Sequence, residues 1–509
     1  MGEFVPTATE TMTCPPPTCT VVSGRAATEG FTYQAKPAAG DPYPYMQGFG
    51  NRFASEAIPG ALPECGRNVP QKCPFDLYSE QLNGTSFISS RQTLQNVWMY
   101  RIRPSVAHRP LAPMPANDDV QACFSPLNPS VSFNPLSHTW GPLDVPAADT
   151  TPVTFVSGLK TMGGHGDPTA KEGIAVHMYA ANTSMGNEAF CNNDGDFLII
   201  PHEGRLDIQT ELGRMAVQPG EIAVVQAGIR WRVALPDGGV ARGYVQEIFG
   251  THYELPELGP LGSNGMALPK DFKTPVASFN VDDAAWALVV KLAGKFYRYE
   301  QAWTPFDVVA WHGNYAPYKY ELANFVSFNT TLKEQVDPTV HTVLMARSKI
   351  PGVSLTEFAA FQPKWQTSTN TFRPPYYHRN MATELGGLIR GTYGGSSRQQ
   401  VAGGLTFENS YMPHGETYEA WRKATTEPLD NVLVGTDSLG FMLHISSHLA
   451  LTTFATERHG CIRPQRPAMW DNMQAHFYEH IPAINKMLLD KGLPGVVVTG
   501  SVTGLKNGV

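Results

Sequence analysis

Charge is scarce in this chain. Asp, Glu, Lys and Arg make up 16% of its 509 residues, where a typical globular domain carries about 25%. The 38 basic and 45 acidic residues include no Lys/Arg block, so a nucleic-acid polyanion is excluded as the main partner. No apolar run reaches the roughly 20 residues that span a bilayer. The opening MGEFVPTATETMTCPPP has neither the basic nor the apolar segment of a secretory leader. A cytoplasmic protein with no membrane partner is therefore expected. The seven cysteines (Cys14, Cys19, Cys65, Cys73, Cys123, Cys191 and Cys461) are odd in number and scattered. They fit neither a zinc ribbon nor a disulfide scaffold and read as reduced thiols. A G-x-S-x-G elbow, a P-loop and a convincing G-x-G-x-x-G turn are missing too. Serine hydrolase, nucleotide hydrolase and dinucleotide-binding readings lose their usual support.

Turn-formers are plentiful, with 47 glycines and 42 prolines beside 42% hydrophobic residues. A large core joined by many short segments points to an all-β chain with few helices. Residues 1–45 are rich in Thr, Pro, Ala and Gly, show no hydrophobic period and read as a flexible extension. Residues 46–301 carry strand signals. Phe197–Ile200 is a short apolar run, Arg205–Thr210 alternates, and the turn Gln218-Pro219-Gly220-Glu221 leads into Ile222–Val225. This pattern predicts an N-terminal β-sandwich or jelly roll, without a histidine cluster of its own. Residues 302–509 repeat the strand-rich character and carry more polar groups, as a cupin-like second sandwich would. The best helix candidate runs from Ala475 to Leu489.

Most of the fifteen histidines suggest nothing beyond packing. His444 and His448 lie four apart in an apolar stretch and read as core or interface residues. His476 and His480 share that spacing but lack the Glu of H-E-x-x-H. The run Phe372–Glu384 differs, because two prolines and two tyrosines deliver His378 and, six residues later, Glu384. On a strand, positions i and i+6 face the same side. His414 follows about one hairpin downstream in Met412-Pro413-His414-Gly415. Two histidines and a carboxylate on neighbouring strands form a facial triad with open positions for substrate and O₂ on Fe(II). By spacing alone, a hydrogen-bonded structural histidine beside a surface glutamate fits as well. A third patch, Trp311-His312-Gly313-Asn314-Tyr315, offers either a general base in an aromatic pocket or a loop packed by its own rings.

Together these segments resemble the homogentisate 1,2-dioxygenase family over residues 46 to 480. The resemblance rests on Gly48–Asn51, Cys73–Gly84, Asn192–Ile199, Trp311–Tyr315, Phe372–Glu384 and Met412–Gly415, in that order. It implies an N-terminal β-sandwich followed by a cupin-like catalytic domain, with iron held by His378, Glu384 and His414. It further implies His312 as proton acceptor, Tyr393 as a substrate contact, and hexamers built from two trimers. The implied reaction opens the ring of homogentisate with O₂ to give maleylacetoacetate.

One position departs from the pattern. Six residues before His414, where the family generally has a histidine near the substrate, this chain has Glu408. A carboxylate beside an anionic substrate costs Coulomb energy. Homogentisate is the expected substrate, with a methyl- or methoxy-substituted hydroquinone as the alternative that Glu408 raises. A non-catalytic cupin-like binding protein is the alternative from another class.

Overall fold

The computed structural model describes residues 40–64, 72–145, 147, 149, 151–258, 267–326, 341–366, 377–392, 400–428, 430–462 and 472–499, and the backbone of four short strands before residue 40. The expected fold class is the one observed: strands dominate and helices are few. Among the described residues the largest sheet has eleven strands. Its middle is formed by Leu159–Asp167, Glu172–Ala181, Ala241–Phe249, Gly195–Glu203 and Glu221–Val225, all antiparallel.

That sheet is buried on both faces. Phe197 and Ile199 enter one core while their neighbours Leu198 and Ile200 enter another. Ala223 and Val225 likewise divide from Ile222 and Val224. Period-two side chains with apolar neighbours on both sides produce an unbroken apolar run rather than an alternating one. Each fully buried aliphatic side chain contributes about 1.5–3 kcal/mol. The first core lies toward strands such as Leu206–Thr210, Arg230–Ala234 and Trp286–Leu292.

The second core is closed by a seven-stranded sheet. Its strands in chain order are β1 (His138–Trp140), β2 (Tyr253–Glu254), β3 (Thr342–Arg347), β4 (Ser354–Phe361), β5 (Thr383–Arg390), β6 (Leu405–Glu408) and β7 (Leu439–Ile445). In space they run β1-β6-β5-β7-β4-β3-β2. Both edges therefore come from residues before 302. Conversely, Val308–Gly313 and Tyr318–Glu321, just past the expected seam at 301/302, pair with strands of the first part.

Where a histidine cluster was not expected, the first part buries an ionic one. Lys291 Nζ donates to Asp194 Oδ2 at 2.8 Å and to Glu247 Oε1 and Oε2 at 2.7 and 2.9 Å. Asn192 Nδ2 donates to Glu247 Oε1 at 2.6 Å, and His177 Nε2 lies 3.2 Å from Oε2. Lys291, Glu247 and His177 are fully buried.

Among the described residues, two α-helices lie toward the C-terminal end. The short α1 (Tyr418–Thr426) had no counterpart in the sequence reading; Thr417 caps it by accepting from Ala420 N at 3.0 Å. The expected C-terminal helix is present as α2 (Phe477–Asp490). Gly492, in the left-handed conformation, closes it. No helix of the described residues is long and apolar enough to cross a membrane.

Candidate metal centre

The seven-stranded sheet has one apolar and one polar face. Leu385 lies opposite Phe407 on β6 and Leu443 on β7, and all three enter the second core. The next residue, Glu384, lies opposite Glu408 on one side and His444 on the other. Directly opposed residues share a face, so Glu408, Glu384 and His444 form a row on the side turned away from that core. Strand periodicity thus puts a carboxylate at the start of β5, on the face turned away from the second core.

His378 reaches Glu384 by a different route from the one its spacing suggested. The two do not share a continuous strand, because β5 begins at Thr383. His378 instead forms an isolated antiparallel bridge with His414, with backbone hydrogen bonds of 3.0 and 3.1 Å in the two directions. The chain then bends through 379–382 before entering β5. Asn380 holds this bend, since its carbonyl accepts from Tyr411 N at 2.7 Å and its Nδ2 donates to Glu384 Oε1 at 2.6 Å. Tyr411, at φ 61°, turns the returning chain toward His414.

Ligand-capable atoms of His378, Glu384 and His414 lie within 4.8 Å of one another. Glu384 Oε1 is 3.5 Å from His378 Nε2, and Oε2 is 3.2 Å from His414 Nε2. Among the described residues this is the single group of three or more His, Cys, Asp or Glu side chains so arranged. Burial works against charge on Glu384, but His378, His414 and Asn380 outweigh it and hold the carboxyl well below its ordinary range. Burial likewise opposes charge on His414; the hydrogen bond and charge of Glu384 prevail and raise its pKa. His414 Nδ1 lies 2.9 Å from Met412 O. A carbonyl only accepts, so Nδ1 carries the proton and Nε2 of the neutral ring is left as a donor atom for a metal.

The residues fit a metal ion. Two imidazoles and one carboxylate suit divalent first-row metals. Asn380 Oδ1 is buried with no hydrogen-bond partner among the described residues, as an acceptor awaiting a metal-bound water would be.

The other expected site residues are distributed unevenly. Glu408 is buried and accepts from Ser137 Oγ at 2.5 Å. His312 lies in the separate sheet of Val308–Gly313, its Nε2 3.1 Å from Tyr100 Oη. Burial, and secondarily Arg52, lower its pKa. None of its described contacts reaches the triad. Tyr393 lies outside the described residues. His448 Nδ1 is 3.3 Å from Asn409 Oδ1, and His476 pairs with Tyr418 of α1. Asn380 was not singled out in the sequence, and His444 was read there as a core or interface residue; the run His378-Arg379-Asn380 was the one local signal for the former.

A β-sandwich that gathers two imidazoles and one carboxylate at a single point defines a class: metal-dependent proteins that hold the ion by three side chains and leave positions for chemistry. Within it the chain can be placed further. Residues 44–322 match the family model described as "Homogentisate 1,2-dioxygenase N-terminal", and residues 323–477 match the "C-terminal" model. The chain belongs to the homogentisate 1,2-dioxygenase family. It is 46% identical to homogentisate 1,2-dioxygenase of Arabidopsis thaliana over 404 residues, 78% of this chain and 86% of that protein. With the human enzyme it shares 41% identity over 437 residues, 85% and 96% of the two chains. A metal cofactor goes with that membership. Among solved structures, the pirin YhhW of Escherichia coli aligns with 62% of this chain and 95% of its own at 10% identity. Its TM-score of 0.24 adds nothing to the fold argument.

Proposed function

We propose that this chain opens the aromatic ring of homogentisate with O₂, using ferrous iron held by His378, Glu384 and His414. Its identity to named homogentisate 1,2-dioxygenases runs through both halves. The observation that carries the reading is the convergence of two imidazole nitrogens and a carboxylate oxygen within 4.8 Å, inside the matched region. Three protein ligands leave room for both an aromatic hydroxyl and O₂. When bound, iron supplies Lewis acidity and a template for the two reactants. The chain's own groups fix the imidazole tautomer at His414 and hold Glu384 ionised. Tyr393 is proposed as a substrate contact, and the assembly as a hexamer of two trimers.

Glu408 accepts from Ser137, and the named relatives favour homogentisate over an uncharged hydroquinone. Oxygen consumption by Fe(II)-loaded protein tests the whole reading. With homogentisate, gentisate and methoxyhydroquinone offered in parallel, homogentisate should be consumed fastest. Preference for methoxyhydroquinone would overturn the substrate, and no uptake with any of them would overturn the activity.

His312 is proposed as the proton acceptor of the reaction. His312→Ala is expected to keep its iron and to lose about 10²-fold or more in kcat. A fully active His312→Ala protein would remove that role.

A further inference from the structure

Asn380 lies between all three ligand segments. It follows His378 by two residues, its side chain donates to Glu384 Oε1 at 2.6 Å, and its backbone carbonyl receives Tyr411 N at 2.7 Å. Tyr411 opens the turn that carries His414. The amide is short-range and directional, and it bonds the oxygen that faces His378. The other oxygen of Glu384 faces His414.

On the reading that these three residues hold a metal, we infer that Asn380 is a positioning residue that orients the Glu384 carboxylate. With Oε1 accepting from the amide, rotation of the Glu384 carboxylate is restrained and Oε2 stays turned toward His414. A carboxylate free to rotate would lose that orientation toward the two imidazoles. Groups that orient a ligand in this way typically change metal affinity 10–100-fold when lost. The two halves of Asn380 separate cleanly, because a side-chain substitution leaves the carbonyl contact to Tyr411 in place.

The test is metal binding by the full-length apo protein, read without turnover. Asn380→Leu, near in size and lacking the donor, should bind Fe(II) 10–100-fold more weakly in anaerobic chelator competition. Its Co(II)-loaded form should show an altered visible d–d spectrum, which a fold defect alone would not produce. Apo melting temperature and far-ultraviolet circular dichroism should stay at wild-type values; Asn380→Ala serves if the leucine variant does not fold. Glu384→Gln is the reference. Asn380 variants within twofold of wild type, beside a Glu384→Gln protein that loses metal, would overturn the positioning role alone. A Glu384→Gln protein that binds Fe(II) like wild type would overturn the ligand assignment and the inference with it.

Discussion

Glu384→Ala and His414→Ala are each expected to lose stoichiometric iron and, with it, at least about 10³-fold in kcat/KM for homogentisate. The magnitude follows from what a bound metal supplies. Lewis-acid stabilisation of developing charge is worth several kcal/mol, and ~4 kcal/mol corresponds to about 10³-fold. With one of three ligands gone, the remaining pair cannot compensate. In the Glu384 variant two imidazoles meet edge to face, their ring centroids 4.2 Å apart, with no carboxylate between them to balance a dication. In the His414 variant the carboxylate keeps Asn380 and His378 but loses its partner at 3.2 Å. Metal analysis of the purified protein, followed by oxygen uptake after Fe(II) loading, checks both losses. A Glu384→Ala protein that retains one iron per chain would remove Glu384 from the ligand set.

The second large effect is one of stability and lies far from the candidate centre. Lys291→Met should destabilise the protein by about 3–5 kcal/mol at neutral pH, because removing one partner of a buried ion cluster leaves uncompensated charge. Lys291 has no solvent exposure, and Asp194 and Glu247 have 1% or less at their side chains. Burial alone would raise the Glu247 pKa; Lys291 and His177 prevail and hold it down at about 2. The sign of the pH dependence follows. A depressed carboxyl pKa adds stability that is present above the unfolded value near 4.5 and lost as pH falls toward 2. In Lys291→Met the same carboxyl is buried without a cation, so its pKa rises above 4.5 and protonation relieves the penalty. The gap between variant and wild type should therefore narrow as pH falls from 7 to 4. Denaturant unfolding across that range measures it, and a gap independent of pH would show that lost packing, not charge, is responsible.

The strands of the two sandwiches were readable because apolar runs such as Phe197–Ile200 and Ile222–Val225 end in turn-formers. Their arrangement was not. A run buried on both faces looks the same whether it sits inside one sandwich or between two, and only the partition of Phe197 from Leu198 reveals a shared layer. Strand spacing grouped His378 with Glu384, yet the grouping arises from a bend held by Asn380 rather than from strand period. The one local mark of Asn380 is its place two residues after His378; its partners are set by tertiary folding. The ionic cluster was equally hidden: Lys291 is 97 residues from Asp194 and 44 from Glu247. The patch around His312 was legible as one rich in reactive types, and the pairing of its ring with Tyr100 was not.

The shared sheet also bears on synthesis. A ribosome makes the chain from its N-terminus, and the eleven-stranded layer is almost complete before the bulk of the seven-stranded sheet emerges. Until then Leu198, Ile200, Ile222 and Val224 have no cover from β3 to β7. The nascent first half carries a sticky flank for as long as translation of the remainder takes, roughly ten to forty seconds at 5–20 residues per second. Each half is expected to expose this flank when expressed alone. A stop codon or frameshift after residue 322 would leave a fragment that aggregates rather than a smaller folded protein.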